Sequence, residues 1–378
     1  MEIEFGFKDF PVWRGVQTEP GVKYSLPYSI GWDSRGYISQ KSDQSVREQM
    51  VNAYSDEDYS CITSPPGTSK WANSLGQRSI DQTKKFAGPL DGKTILEVGA
   101  GSDYIANSLT DAYKIYKYFI MDPSIKNTSS KDNIEIHREY FQVEKCLDVA
   151  FELVLAFGIL EHLADPMQFL LDLNRVLTPT KGRAIMCFPD TERQLRAGDL
   201  SVLVHEHLSY FTEKTVKDLF YRCGFRVLEC ETIDGSLYYY LEAVGEIHPK
   251  KDIAMDDVLA DATNQYYYNL EWVQKKIHSL LERGETLAFH GACNGLNNLL
   301  YLFGLNDNEN ILVFDGDDTK VGHYLPTCLS VVRASDDPTY QEVDRVFIAA
   351  TSFYQEIKQF LMEQHHMDED RIVSVAKV

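Results

Sequence analysis

Residues 204–212, VHEHLSYFT, set two histidines on either side of a glutamate and follow them with two aromatic side chains. Three chemistries fit such a stretch. A metal site would use His205 and His207 with a third ligand, which the flanking sequence does not supply at a ligand spacing; no metal is expected. A packing reading gives Leu208, Tyr210 and Phe211 to a core and leaves the histidines as satisfied polar groups. A proton-transfer reading makes one histidine, which titrates near neutrality, a base whose tautomer a glutamate can fix. His162, in FELVLAFGILEHLADP (151–166), is a second candidate, either as a member of the same site or as a polar residue closing a turn.

A second cluster lies upstream, in ILEVGAGSDYIANSL (95–109). An apolar run ends in Glu97, and Gly99 and Gly101 then let the backbone turn tightly and approach a ligand before a helix begins. Tyr104 stands where a dinucleotide fingerprint has its third glycine, which argues for a ligand without a pyrophosphate. About 25 residues on, FIMDPS puts Asp122, followed by Pro123, at the end of the next apolar run, where a carboxylate can accept two ribose hydroxyls. Glu-x-Gly-x-Gly resembles the class I S-adenosylmethionine (SAM) methyltransferase pattern. That resemblance implies SAM as cofactor, with Glu97, Gly99, Gly101, Asp122 and Pro123 around it. In that fold the loop carrying His162 faces the methyl group, and carbon methylation needs a base to form an enolate.

The elements that would hold these residues alternate between apolar strands and amphipathic helices, the signature of an α/β sheet. KTILEVGA, YKYFIMD, FELVLAFG and GRAIMCFP are strands, and DPMQFLLDLNRVL is a helix between the last two. TEKTVKDLFYRCGF reads as a capped helix, and RVLECETI with GSLYYYLEAVG as an antiparallel pair at a sheet edge. HEH thus falls between the fifth strand and the next helix, at the carboxyl edge of the sheet where ligands sit. Residues 1–88 form a mixed N-terminal region, with a short helix expected over VREQMVNAYSDEDY and a turn at SPPGTS. A methyltransferase-like domain is expected over 89–248 and a helical connector over 249–283. Residues 284–378 then form a second, smaller Rossmann-like domain of strands ETLAFH, ENILVFD, VDRVFIAA and RIVSVA. Its turn HGACNG puts Gly291 and Gly295 where backbone N–H groups could meet a phosphate, with Asp315, Asp317, Lys320 and His323 close by.

Composition narrows the partners. The chain has 378 residues, 44% of them hydrophobic, enough for two or three folded domains. With 37 basic and 57 acidic residues its formal charge is −20, so nucleic acid and an anionic membrane surface would both be repelled. No apolar run approaches the roughly 18 residues that span a bilayer. No basic and apolar leader is visible. Seven scattered cysteines without a CxxC pair argue against a disulfide framework or zinc ribbon and for a reducing cytoplasm.

Several motifs together carry a closer resemblance. HEHLSYFT followed by DGSLYYYLEAVG, with GILEHLADP and GACNGLNNLLY…VFDGDDTKVGHYLP, resembles the sugar C-methyltransferases of deoxysugar biosynthesis over roughly residues 45–378. The resemblance implies a nucleotide-linked 4-keto sugar as acceptor, methylated at C3. It makes His207 the base and assigns Glu206 and His162 to substrate binding or enolate stabilisation. It adds His205, Tyr210, Ser236, Gly291 and Gly295 as acceptor-side candidates, the C-terminal domain holding the nucleotide half. The chain departs from the family at three places: its first 88 residues hold only Cys61 where the family has zinc cysteines, and Val204 and Tyr238 replace a tyrosine and an arginine. Oxygen or nitrogen methylation, a non-catalytic nucleotide or SAM binder, and a homo-oligomer stay open at this level.

Overall fold

The computed structural model of the chain describes residues 4–41, 48, 65–68, 70–126, 131–248 and 257–377. The expected helix over VREQMVNAYSDEDY, Glu48 apart, lies outside them, as does Cys61.

The central sheet has seven strands: β4 (Thr94–Val98), β5 (Lys117–Met121), β6 (Ile134–His137), β7 (Leu153–Phe157), β8 (Arg183–Pro189), β10 (Phe225–Ile233) and β11 (Ser236–Ala243). Their order is β10-β11-β8-β7-β4-β5-β6, parallel except that β11 runs antiparallel to both neighbours. The expected edge hairpin is therefore present. β6, whose four residues alternate weakly, had no counterpart in the sequence reading. Strand order reverses between β4 and β7, so the loops after these two strands open a crevice at the carboxyl edge. The helices close both faces. α2 (Tyr104–Ala112) buries Ile105, Ala106 and Leu109 at helical spacing. α3 (Pro166–Leu177) starts from Asp165, whose carboxylate accepts from Gln168 N at 3.0 Å, with Pro166 in the first turn. α4 (Thr191–Ala197) follows β8, and α5 (Glu213–Arg222) has the expected cap, a reciprocal box between Thr212 and Thr215.

The N-terminal region is more regular than its composition suggests. β1 (Glu4–Pro11), β2 (Ser25–Asp33) and β3 (Tyr37–Gln40) form an antiparallel sheet, and α1 (Lys70–Ala87) leads into β4. The short strand β9 (Ser209–Tyr210), inside VHEHLSYFT, completes that sheet by pairing with β3. The C-terminal sheet is all parallel, in the order β14 (Val332–Ala334), β13 (Ile311–Asp315), β12 (Leu287–His290), β15 (Arg345–Ile348), β16 (Ile372–Ser374). α6 (Asp257–Glu282) precedes it, α7 (Asn294–Leu302) follows β12 and α8 (Tyr354–Gln364) follows β15. One apolar cluster runs from Phe10, Tyr28 and Ile30 of the N-terminal sheet through Leu200, Val202 and Leu203 to Leu296 and Leu299 of α7. The stretch just before HEH is thus packed by elements from both ends of the chain.

Candidate active site

The glycine turn after β4 is built by close approach. Gly99 has φ +69°, and a Cβ there would lie 1.8 Å from Ile159 Cδ1, so no other residue fits without moving that side chain. Gly101 has φ +65° and lies under Pro65 of the SPPG turn, whose neighbour Pro66 accepts from Ser102 Oγ at 2.6 Å. Asp122 is buried at the end of β5 beside the turn. Its Oδ2 accepts from Gly101 N at 2.6 Å, and its Oδ1 from Ser124 N at 2.6 Å and Ser124 Oγ at 2.7 Å. Pro123 sits half-buried between these partners. Glu97 is placed differently from the other cofactor candidates. It is buried in β4 and accepts from Tyr118 Oη of β5 at 2.5 Å; burial pushes its carboxyl up to about 8, against the opposing hydrogen bond. The bond ties two strands together beneath the turn.

Across the crevice, β7 ends at Gly158, φ +67°, whose N–H donates to Cys187 O of β8 at 2.8 Å. The one-turn 3₁₀ helix Leu160–His162 follows. HEH folds as a tight turn, with His207 N donating to Val204 O at 3.2 Å, so the two histidines face different ways. His205 turns into the N-terminal sheet, its Nε2 3.3 Å from Leu26 O and its ring against Phe10 and Tyr28. Tyr210 goes with it: its hydroxyl meets Tyr28 Oη at 2.7 Å and Val204 O at 3.1 Å. His207 turns the other way and meets His162 edge-on, ring centroids 4.9 Å apart.

Glu161, His162 and His207 then form one group, their donor atoms all within 4.8 Å of one another. Glu161 was not a sequence candidate, although it stands inside the quoted GILEHLADP. It is buried, and its Oε2 has no hydrogen-bond partner. It lines a narrow recess with Pro189, Gln194, His207 and Tyr210. Burial sets the charge state of the group. It pushes the Glu161 carboxyl up to about 8, and holds His162 down to about 4 and His207 well below its ordinary value, with His162 adding to the effect on His207. Both rings are neutral at pH 7 and keep a lone pair for a proton. Glu206 is buried next to them, and its backbone carbonyl accepts from His162.

The turn is held from two sides. Gln40 of β3 donates through Nε2 to His205 O at 3.0 Å and His207 O at 3.3 Å. Leu208 N donates to Glu161 O at 2.7 Å, which locks HEH onto the Glu161–His162 helix. Ser236, at the start of β11, lies half-buried and hydrogen bonds with Cys187. The two C-terminal glycines are accounted for by packing. Gly291, φ +112°, has Ala350 N 2.7 Å from where a Cβ would be, and Gly295 lies within α7 against the backbone of Ser201. Near them Asp315 accepts from Ala292 N at 2.7 Å and Lys320 Nζ at 3.0 Å, and from Asp317 N at 2.8 Å. His323 lies beyond, its Nδ1 3.2 Å from Val321 O.

Residues 73–230, which contain the glycine turn, Asp122, the Glu161–His162 helix and HEH, match the family model of a methyltransferase domain. This part of the chain is a SAM-dependent methyltransferase. Its cofactor is S-adenosylmethionine. Among solved structures, a chain of the complex between the Haloferax volcanii Trm112 methyltransferase activator and a methyltransferase is 16% identical. The match covers 46% of this chain and 95% of that one, with TM-score 0.37. A SAM-dependent methyltransferase from Aquifex aeolicus is 17% identical over 46% of this chain and 98% of its own, TM-score 0.35. The riboflavin-analogue dimethyltransferase RosA from Streptomyces davawensis is 16% identical over 46% of this chain and 56% of its own, TM-score 0.37. No curated protein matches the chain. No described helix of the methyltransferase is long and apolar enough to cross a membrane.

Proposed function

We propose that this methyltransferase transfers the SAM methyl group to carbon of a keto sugar carried on a nucleotide, in the cytoplasm, with His207 as the base that forms the enolate. The observation that carries the reading is the placement of His207. Its half-buried, neutral ring lines a narrow recess with Glu161, at the carboxyl edge of the sheet that also holds the glycine turn. A neutral imidazole in that position can take the proton from a carbon next to a carbonyl, and the carbanion then attacks the sulfonium methyl. Glu206 and His162 support it, His162 through the edge-on ring contact and Glu206 through its backbone carbonyl. In this reading Asp122 accepts a ribose hydroxyl of SAM through Oδ2, which takes only Gly101 N and keeps room for a further donor, while Oδ1 is filled by the two Ser124 donors.

The acceptor-side assignments carry unequal support. Ser236 bonds to Cys187 of β8, whereas His205 and Tyr210 tie the turn to the N-terminal sheet, Tyr210 also lining the recess of His207. The nucleotide half is assigned to the C-terminal domain, at the Asp315–Lys320 end of its sheet rather than at Gly295. The test is turnover of methyl-labelled SAM with a panel of nucleotide-linked keto sugars, alongside solvent-deuterium exchange at the carbon next to the keto group. His207→Asn should lower turnover by roughly 10²–10⁴-fold and abolish the exchange while SAM binding persists. Full turnover by that variant, or methylation without any exchange, would move the reaction to an oxygen or nitrogen acceptor.

A further inference from the structure

A base surrounded as His207 is cannot easily keep the proton it takes. Burial disfavours its imidazolium, and the neighbouring His162 adds to that, so the protonated ring needs either an opposite charge or a second acceptor at close range. His162 offers no charge and only a weak acceptor: it is held neutral, one ring nitrogen donates to the Glu206 carbonyl, and burial that holds the ring down to about 4 makes the other nitrogen a poor base. Glu161 offers both. It is 5% exposed, its Oε2 has no hydrogen-bond partner, and a carboxylate left so is costly unless something charged or protonated comes to it. Its donor atom lies within 4.8 Å of those of His162 and His207, and it lines the same pocket as His207. The bond from Leu208 N to Glu161 O fixes the spacing between the two backbones, so the closeness is part of the fold.

We propose that Glu161 is the partner of His207 in proton transfer, a positioning residue that steadies the imidazolium and then accepts its proton. The inference rests on the reading of His207 as base. The acceptor C–H bond breaks, its proton goes to a ring nitrogen of His207, and its electron pair stays on carbon as the enolate. That carbon bonds to the methyl group while the methyl–sulfur bond breaks, its pair remaining on sulfur to give S-adenosylhomocysteine. The proton passes from His207 to an oxygen of Glu161 and leaves to water when the pocket opens for product. Glu161 must therefore begin each cycle ionised. Cys187 on β8, Tyr210 on β9, and Glu206 and His207 in the turn are the titratable groups packed around it. Burial holds the first two in their neutral forms, Cys187 with its thiol pushed up to about 12. With burial raising the Glu161 carboxyl to about 8, turnover should climb as pH rises through neutrality toward that value.

The test needs no known acceptor. In the full chain labelled with ¹³C,¹⁵N-histidine, the His207 ring signals should respond to an ionisation near pH 8 that is not its own. In Glu161→Gln that response should vanish, while the titration of His207 itself, which falls at a pH where Glu161 is already protonated, should stay within about half a pH unit of wild type. Glu161→Asp, one methylene shorter, should keep a weaker response, and serves if the glutamine variant does not fold, as judged by urea unfolding. His207 signals that behave alike near pH 8 in wild type and Glu161→Gln would overturn the proposal. So would elemental analysis finding one divalent ion per wild-type chain that Glu161→Gln loses, because the three donors would then be metal ligands. A His207→Asn variant with full turnover would instead refute the base assignment and leave the measured coupling standing.

Discussion

Replacing Asp122 by asparagine keeps the side chain's shape and changes one thing at each end of its carboxylate. Toward Ser124 an oxygen can remain, so the 2.6 Å bond from the backbone N–H and the 2.7 Å bond from the hydroxyl survive. Toward Gly101 an amide N–H₂ replaces Oδ2 and meets the Gly101 N–H, which had donated at 2.6 Å, donor against donor. A hydrogen bond to a charged group is lost and its buried partner left unpaired, a cost of about 1.5–3 kcal/mol. The same substitution removes the charge that the proposed ribose contact uses. Since each 1.4 kcal/mol is about tenfold in affinity, calorimetry on Asp122→Asn should show SAM and S-adenosylhomocysteine binding weakened roughly 10- to 100-fold. Urea unfolding of the same variant reports the part of the loss that comes from a loosened turn. SAM affinity within about threefold of wild type would refute the reasoning and place the ribose elsewhere.

Two further outcomes follow from the same crevice. Gly99→Ala should cost about 1–2 kcal/mol for the left-handed backbone and about 1–3 kcal/mol more for the collision with Ile159; in urea unfolding, Gly99→Ala with Ile159→Ala should relieve the collision and keep the backbone cost. For Glu97 the sign follows from its raised value: the unfolded chain releases this proton near the ordinary glutamate range, and the folded chain keeps it until about 8. Folding stability should therefore fall as pH rises from about 4.5 toward 8, by about 1.4 kcal/mol per pH unit at most for this one group. Glu97→Gln, which can still accept from Tyr118, should flatten that slope in unfolding curves taken across the window.

What the sequence made legible was chemistry carried by residue type. Two glycines at a strand end, an acid one strand on and a histidine pair have few bland explanations, and β4, β5, β7 and β8 could be read as unbroken apolar runs because a parallel sheet covered on both faces demands them. The residues that escaped notice owe their roles to placement. Glu161 has the composition of a solvent-facing residue and becomes significant only because the fold buries it beside His207. Gln40 lies far upstream in a region without clear periodicity, and its two bonds to the HEH carbonyls depend on β9 adding to β3. Gly295 shows the complementary limit. A glycine near a strand-to-helix turn serves a phosphate or a close contact equally well, and here the backbone of Ser201 lies against it.

The attachment of α7 to the methyltransferase sheet has a consequence for how such an enzyme can be altered. Asn294 Nδ2 donates to Leu203 O at 3.1 Å, and Asn298 Nδ2 donates to Leu200 O at 3.0 Å and Leu203 O at 2.8 Å. These bonds end one residue before the stretch that opens with Val204, and those of Gln40 begin within it. The loop bearing the proposed base is thus spliced between the first forty residues and the last hundred. Exchanging either flanking region for that of another enzyme would move the base relative to the methyl donor without touching a single active-site side chain. Acceptor choice in this architecture is inherited with the whole chain, and grafting a new one means carrying the flanks along with the loop.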